Sequence, residues 1–151
     1  MKTIILYYSF SGNTKEIAHL KAEQLTADIE EVLLAKRYNA TKAYTIGTFK
    51  AARRKKDEII PLTSDLDNYE QIIIMSPIWA GYPVAAINSV IEKLPEGKKV
   101  QLIMVSGGWG SKKSSKGTKA LIEAKGCEVV EYVDLFAKRK KKELVYHVIN
   151  K

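Results

Sequence analysis

The sequence predicts an α/β fold in three layers, a doubly wound parallel sheet of about five strands with helices on both faces. Several apolar runs are continuous rather than alternating, which is typical of strands buried on both faces. Segments with helical periodicity separate these runs, and such alternation favours right-handed crossovers between parallel strands. The length of 151 residues suits one domain of ordinary size.

Five segments are candidate strands, and the first, third and fourth are the most apolar. Glu30 and Glu31 interrupt the second candidate, and the fifth alternates, as expected for a less buried strand. In chain order the candidates are Thr3–Tyr8, Ile29–Leu34, Gln71–Ser76, Val100–Ser106 and Glu128–Phe136. For Leu144–Ile149 the pattern leaves two alternatives open, a short edge strand or one or two helical turns.

Three segments show the periodicity of helices with one apolar face. The first begins after Asn13, the second covers Val84–Leu94, and the third covers Ser114–Lys125. Gly126 follows the third segment, at a position typical of a left-handed C-cap. The sequence therefore predicts a helix after each of the three most apolar strands.

The segment 36–62 departs from this alternation, because it is long, basic and contains three aromatic residues. Residues 43–56 can form a helix, although Gly47 weakens it. We therefore expect a partly helical excursion, with loops at both ends, inside a single domain that spans residues 1–151. Long segments of this kind are commonly functional lids or mobile segments.

The formal net charge of +8 is unevenly distributed along the chain. Residues 36–58 contain eight basic and two acidic side chains, and residues 112–142 contain ten and four, so the rest is slightly acidic. No helix-turn-helix, RNA-binding signature or zinc-ligand spacing accompanies the basic segments. We therefore expect no nucleic-acid binding.

The single cysteine, Cys127, excludes an intramolecular disulfide, and no apolar run approaches the length of a membrane span. The apolar run at the N-terminus is also too short for a signal peptide. These features favour a cytoplasmic location. His19 and His147 have no second ligand at metal spacing, so we expect no metal site.

Three polar loops follow the first, third and fourth predicted strands. The first loop opens a helix, where unpaired backbone N–H groups and the helix dipole favour a phosphate group. An alternative is that Ser11 or Asn13 merely caps the helix. No Gly-x-Gly-x-x-Gly or Gly-Lys-Ser/Thr pattern follows this strand, which disfavours dinucleotide and P-loop binding. The first loop consists of Ser9, Phe10, Ser11, Gly12, Asn13 and Thr14.

The second and third loops each contain a tryptophan at the carboxyl end of a strand, the edge where α/β proteins bind ligands. Two prolines and a glycine predict that the second loop is an exposed, stiffened turn that presents its tryptophan. A tryptophan there covers a flat ligand or, as an alternative for the second loop, packs on its own helix. A phosphate loop beside two aromatic loops predicts a phosphorylated flat heterocycle as ligand. The second loop contains Pro77, Ile78, Trp79, Ala80 and Gly81, and the third contains Ser106, Gly107, Gly108, Trp109 and Gly110.

These three motifs, in this order, resemble those of the flavodoxin family in its short, single-domain type, and the similarity covers nearly the whole chain. The resemblance implies non-covalent FMN and the sheet order 2-1-3-4-5. It also implies that the first loop holds the phosphate and that the backbone near Ala80 and Gly81 faces N5 of the isoalloxazine. The third loop would then meet the pyrimidine end, with Trp79 or Trp109 over a ring face.

One feature departs from the family pattern, in which carboxylates surround the flavin. The third loop contains no carboxylate and runs directly into Lys112 and Lys113, which would stabilise an anionic reduced flavin. We expect a flavoprotein that carries electrons between redox partners. An FMN-dependent NAD(P)H:quinone-type reductase and a flavin-free interaction module stay open as alternatives. The expected partner is an acidic redox protein or a small anionic electron acceptor, and the expected state is a monomer or weak dimer.

Overall fold

The computed structural model describes residues 1–150, which form seven strands and four helices. The strands are β1 Thr3–Tyr7, β2 Asp28–Glu31, β3 Gln71–Trp79, β4 Tyr82–Pro83, β5 Lys99–Ser106, β6 Glu128–Lys140 and β7 Glu143–Asn150. The helices are α1 Asn13–Leu25, α2 (residues 40–52), α3 Ala85–Glu92 and α4 Lys112–Glu123. Helix α2 joins Ala40–Lys42, a π-helical turn Ala43–Gly47 and Thr48–Ala52, and a 3-10 turn follows at Leu66–Asn68.

The strand order is β2-β1-β3-β5-β6-β7, and β4 pairs only with β3. The first five strands of this order are parallel, which confirms the predicted fold class and the order 2-1-3-4-5. Strand β7 runs antiparallel to β6 at the edge of the sheet. The C-terminal segment is therefore an edge strand, the first of the two alternatives that its sequence left open.

The second predicted strand, Ile29–Leu34, is wrong in its bounds, since β2 ends at Glu31. The N–H of Val32 still donates to the carbonyl of Tyr7, after which the chain leaves the parallel register. Leu34 then forms an isolated antiparallel bridge with Ile59, at the far end of the excursion. Val32 and Leu34 are buried nonetheless, which explains why the apolar run is longer than the strand.

The side chains of the central strands alternate between two cores, one on each face of the sheet. Ile4, Ile72 and Leu102 pack on the face that α3 and α4 cover. Ile5 and Ile73 pack on the opposite face, against α1. This alternation confirms the three-layer arrangement. Across residues 1–150 no helix is both long enough and apolar enough to cross a membrane.

Candidate functional site

The three polar loops predicted to form the site lie at the carboxyl edge of the adjacent strands β1, β3 and β5. The rings of Phe10, in the first loop, and Trp79, in the second, have centroids 5.7 Å apart. The Ser114 hydroxyl, just beyond the third loop, donates to the carbonyl of Gly81 at 2.7 Å. The fold therefore brings the first loop into contact with the second, and the second into contact with α4.

The first loop is held together by the side chain of its first residue, Ser9. The Ser9 hydroxyl oxygen accepts from the N–H groups of Gly12 at 3.1 Å and Lys15 at 3.2 Å. Gly12 is the N-cap of α1, with φ of 100°, and neither Ser11 nor Asn13 accepts a hydrogen bond from the first turn through its side chain. The capping alternative for Ser11 or Asn13 is therefore wrong, because Ser9 provides the side-chain acceptor at this helix end.

The N–H groups of Asn13 and Thr14 have no acceptor among residues 1–150, because they lie in the first turn of α1. Thr14 is only 3% exposed, so its side chain lies beneath the loop. Two backbone donors and the positive end of the helix dipole are thus available to an anion at the first loop.

An arginine that the sequence did not single out reaches this loop from β6. The Arg139 guanidinium donates to Oδ1 of Asn13 at 3.2 Å and to Oε2 of Glu16 at 2.7 Å. Because Arg139 engages the amide oxygen, the NH2 end of the Asn13 side chain is the end left for the loop. The contact joins residues 126 positions apart, and no local pattern reveals it.

The second loop ends in a tight hairpin between β3 and β4. Ala80 and Gly81 are its central residues, with φ of 53° and 85°, and positive φ at both positions characterises a type I′ turn. The left-handed conformation costs Ala80 about 1 kcal/mol that a glycine would not incur. The turn nevertheless exposes Ala80, at the position predicted to face N5.

Trp79 is half-buried and contacts the edges of Tyr8, Phe10 and Tyr38, with centroids 5.7–6.2 Å away. The expectation that Trp79 stands on an exposed turn is therefore wrong, and so is the alternative that it packs on its own helix. It packs on α2 instead. A Cβ at Gly47 would lie 2.5 Å from the Trp79 ring, so α2 comes this close because Gly47 has none.

Besides Ser114, two side chains attach the second loop to α4 and the excursion. Arg54 donates to the carbonyl of Ser114 at 2.9 Å and to the Thr118 hydroxyl at 2.7 Å, and its guanidinium lies 5.1 Å from the Tyr82 ring centroid. Lys113 passes over Gly81, and its ammonium lies 5.4 Å from the same ring. The excursion thus contributes a structural clamp that the sequence did not predict.

The third loop has a fixed stem and a free tip. At the stem, Ser111 donates to the buried Asp134 carboxylate through its N–H at 3.1 Å and its hydroxyl at 2.6 Å. The Ser111 hydroxyl also hydrogen-bonds Tyr132. Burial and the nearby Asp134 charge raise the pKa of Tyr132 to about 12, so it stays a neutral phenol at physiological pH. At the tip, Trp109 is 98% exposed.

The site fits a phosphorylated, flat, heterocyclic ligand on three observations. The first loop offers unpaired N–H donors, and Trp109 offers an uncovered aromatic face. The Ser106 hydroxyl is buried without a partner among the described residues, at the start of the third loop. A buried polar group without a partner is unfavourable unless a ligand or water supplies one. Within residues 1–150 no cluster of His, Cys, Asp or Glu side chains could hold a metal ion.

Comparison with known proteins agrees with this geometry. A flavoprotein from Lactobacillus acidophilus NCFM, solved in complex with FMN, is 26% identical, with a TM-score of 0.74 over 88% of this chain and 92% of that one. The apo-form of the flavoprotein from the same organism is 25% identical, with a TM-score of 0.68 over 87% and 91%. An uncharacterized protein from Archaeoglobus fulgidus is 20% identical over 129 residues, which is 85% of this chain and 82% of that protein.

The family model described as Flavodoxin matches residues 2–149. The match contains six of the seven strands, all of β7 except its last residue, and each of the three polar loops. Because it spans nearly the whole chain, this protein belongs to the flavodoxin family.

Proposed function

We propose that this protein binds FMN non-covalently at the carboxyl edge of the sheet and carries electrons between redox partners. The observation that carries the proposal is the first loop, where the N–H groups of Asn13 and Thr14 are unpaired. Donors of this kind at a helix N-terminus suit a dianionic phosphate monoester. The related flavoprotein from Lactobacillus acidophilus, which is described with FMN, supports the same ligand.

Each loop has a separate part in binding. FMN supplies one- or two-electron redox chemistry when bound, and the chain binds it, orients it and limits its contact with water. The first loop holds the phosphate, the second lies along the ring system, and the third hydrogen-bonds its pyrimidine end. The Trp79 ring already packs against Tyr8, Phe10, Tyr38 and α2, whereas the Trp109 ring is exposed to solvent. We therefore assign the covering of a ring face to Trp109.

The phosphate assignment is tested with Asn13→Asp, measured against FMN and riboflavin. A carboxylate at position 13 repels the phosphate, so FMN affinity falls about 100-fold, whereas riboflavin affinity changes less than about threefold. Quenching of flavin fluorescence on titration gives both dissociation constants. Asn39→Asp is the matched control, since Asn39 also lies at the start of a helix and accepts from Lys42 N–H at 2.8 Å.

Measuring both FMN and riboflavin distinguishes a wrong position for the phosphate from an absence of flavin binding. Equal loss of FMN and riboflavin binding in Asn13→Asp would place the phosphate elsewhere. Protein that is colourless as purified and quenches neither flavin would support the flavin-free interaction module instead.

A second candidate function is an FMN-dependent NAD(P)H:quinone-type reductase. It is favoured by the position of Lys113, whose side chain lies over Gly81 beside the predicted N5 edge. A cation there stabilises a reduced flavin that carries negative charge, which suits two-electron chemistry. The test is steady-state NAD(P)H oxidation by FMN-loaded protein with a quinone and no protein partner. A carrier shows almost none, and sustained turnover identifies a reductase.

A further inference from the structure

The positive charge of this protein is concentrated at one edge of the sheet. The segments at the carboxyl edge (8–16, 32–37, 80–84, 107–113 and 137–143) contain ten basic and two acidic side chains. The segments at the opposite, amino edge (1–2, 26–27, 64–70, 93–98 and 124–127) contain four of each. The molecule is therefore electrically polarised, with its positive end at the candidate FMN site.

The β6–β7 hairpin contributes half of these cations through its position in the fold. Ser106, the last residue of β5, pairs with Phe136, yet β6 continues to Lys140 before the chain turns. The hairpin tip therefore overhangs the edge beside the third loop. The five consecutive cations of the tip, residues 138–142, are all exposed.

Most of these cations have no carboxylate partner. Among residues 1–150, only Arg139 of the ten forms an ion pair, with Glu16 at 2.7 Å. Lys112 and Lys113 are exposed at the start of α4, where the helix dipole makes a cation unfavourable. Unpaired like charges gathered at one edge repel each other, so they destabilise the isolated protein unless a negative surface covers them.

The size of this edge fits a protein rather than a small anion. Arg37 shares a cavity of about 180 Å³ with Ser9 and Phe10 next to β2, while the hairpin tip follows β6. Four strand spacings separate β2 from β6, which is about 19 Å. The exposed rings of Trp109 and Phe10 lie on the same edge, and aromatic side chains are enriched at the centres of protein interfaces. Weak electron-transfer complexes use small, charged surfaces of this kind.

We propose that the carboxyl edge, with residues 112–113, 138–142 and Trp109 around the FMN site, is the docking surface for an acidic redox protein. The inference rests on the proposed function, because docking at this edge brings the partner's redox centre to the flavin. Two reduced one-electron carriers each give one electron, the flavin takes up both with a proton from solvent, and two oxidised carriers leave.

The test uses FMN-loaded protein and two electron donors of opposite charge. Stopped-flow absorbance follows its reduction by the anionic donor, a reduced plant-type [2Fe–2S] ferredoxin with a carboxylate-rich surface. The cationic donor, used separately, is a reduced, lysine-rich c-type cytochrome, or reduced methyl viologen where the cytochrome is too weak a reductant. We expect the second-order rate constant with ferredoxin to fall at least about tenfold between about 20 and 500 mM NaCl. With the cationic donor it should stay level or rise.

Paired variants locate the surface. Lys112→Gln, Lys138→Gln and Lys140→Gln together remove three charges from the carboxyl edge, all on exposed side chains. Lys2→Gln, Lys93→Gln and Lys99→Gln remove the same net charge from exposed side chains at the opposite end of the sheet, where Lys99 is the first residue of β5. The first variant should lower the ferredoxin rate constant at low salt about five- to tenfold, and the second should leave it within about twofold.

The proposal would be overturned if the two triple variants had equal rate constants with ferredoxin, or if the rate constant with ferredoxin did not change with salt concentration. Oxidation of the reduced protein by ferricyanide tests whether the edge serves a small anion instead. If the carboxyl-edge variant lowers the rate constant with ferricyanide but leaves that with ferredoxin unchanged, protein docking is overturned. FMN affinity is measured for all three proteins beforehand. Amide chemical-shift changes on adding ferredoxin to protein as purified report docking directly, so failure to hold FMN and failure to dock are distinguishable.

Discussion

The second and third loops contain one tryptophan each, yet the structure treats the two in opposite ways. Trp79 lies among three aromatic rings and against Gly47, and the turn after it is held by Ser114. Trp109 is 98% exposed above a stem fixed by Ser111. Trp79 therefore contributes to the stability of the protein, whereas Trp109 is available to a ligand.

Trp79→Ala gives the largest expected loss of stability. Full burial would make this truncation cost about 3–5 kcal/mol, and because Trp79 is half-buried we expect about 2–3 kcal/mol. The loss also removes the surface on which α2 packs, so protease cleavage within 40–52 should increase. Urea denaturation followed by circular dichroism measures the change. A cost below about 0.5 kcal/mol would show that the aromatic cluster is not a stabilising unit.

Ser111→Ala tests the stem of the third loop. The variant deprives the buried Asp134 carboxylate of a hydrogen bond at 2.6 Å and leaves Tyr132 without its partner. Hydrogen bonds to charged groups contribute about 1.5–3 kcal/mol, so the free energy of unfolding should fall by about 2 kcal/mol. Ser115→Ala is the matched control, since the Ser115 hydroxyl donates only to the Lys112 carbonyl. Equal effects of the two variants would contradict a special role for the stem.

Ser114→Ala should cost less, about 1 kcal/mol, because the carbonyl of Gly81 is half-exposed and water can replace the lost donor. Its larger consequence is local, since the type I′ turn loses its hydrogen bond to α4. We expect faster hydrogen exchange at the amides of Gly81 and Tyr82, with exchange in β5 unchanged. Unchanged exchange at the turn would mean that Arg54 and Lys113 hold it without Ser114.

The sequence predicted the parallel sheet and the positions of the three loops, because continuous apolar runs and glycine-rich turns are local signals. It did not predict the contacts of Arg139 with Asn13 or of Arg54 with Thr118, which join residues 126 and 64 positions apart. Such contacts depend on how crossovers place distant elements. The two basic segments were evident as composition, but the place of residues 138–142 at the carboxyl edge depends on the length by which β6 extends past β5.

The environment of Trp79 shows why burial was harder to predict than topology. A tryptophan between two prolines and a glycine suggests an exposed turn, but three aromatic rings and the approach of Gly47 make that position half-buried. Gly47 weakens a helix by about 1 kcal/mol, and the sequence therefore predicted only a partly helical excursion here. The structure accommodates it in a π-helical turn, a local widening of the helix where it meets the Trp79 ring.

Trp109→Ala has the smallest expected effect on stability and separates the roles of the two tryptophans. A side chain that is 98% exposed makes few contacts, and its removal should change the free energy of unfolding by less than about 0.5 kcal/mol. If Trp109 covers a ring face of FMN, its loss should weaken FMN binding about tenfold, since stacked aromatic pairs contribute about 0.5–1.5 kcal/mol beyond the area they bury. Trp109→Phe keeps an aromatic face and should recover most of the affinity. Denaturation of the apoprotein and flavin titration, made on the same preparations, separate the two quantities. Unchanged FMN affinity in Trp109→Ala would indicate that Trp79 covers the ring instead. Trp79 would then have to leave its contacts with Tyr8, Phe10 and Tyr38.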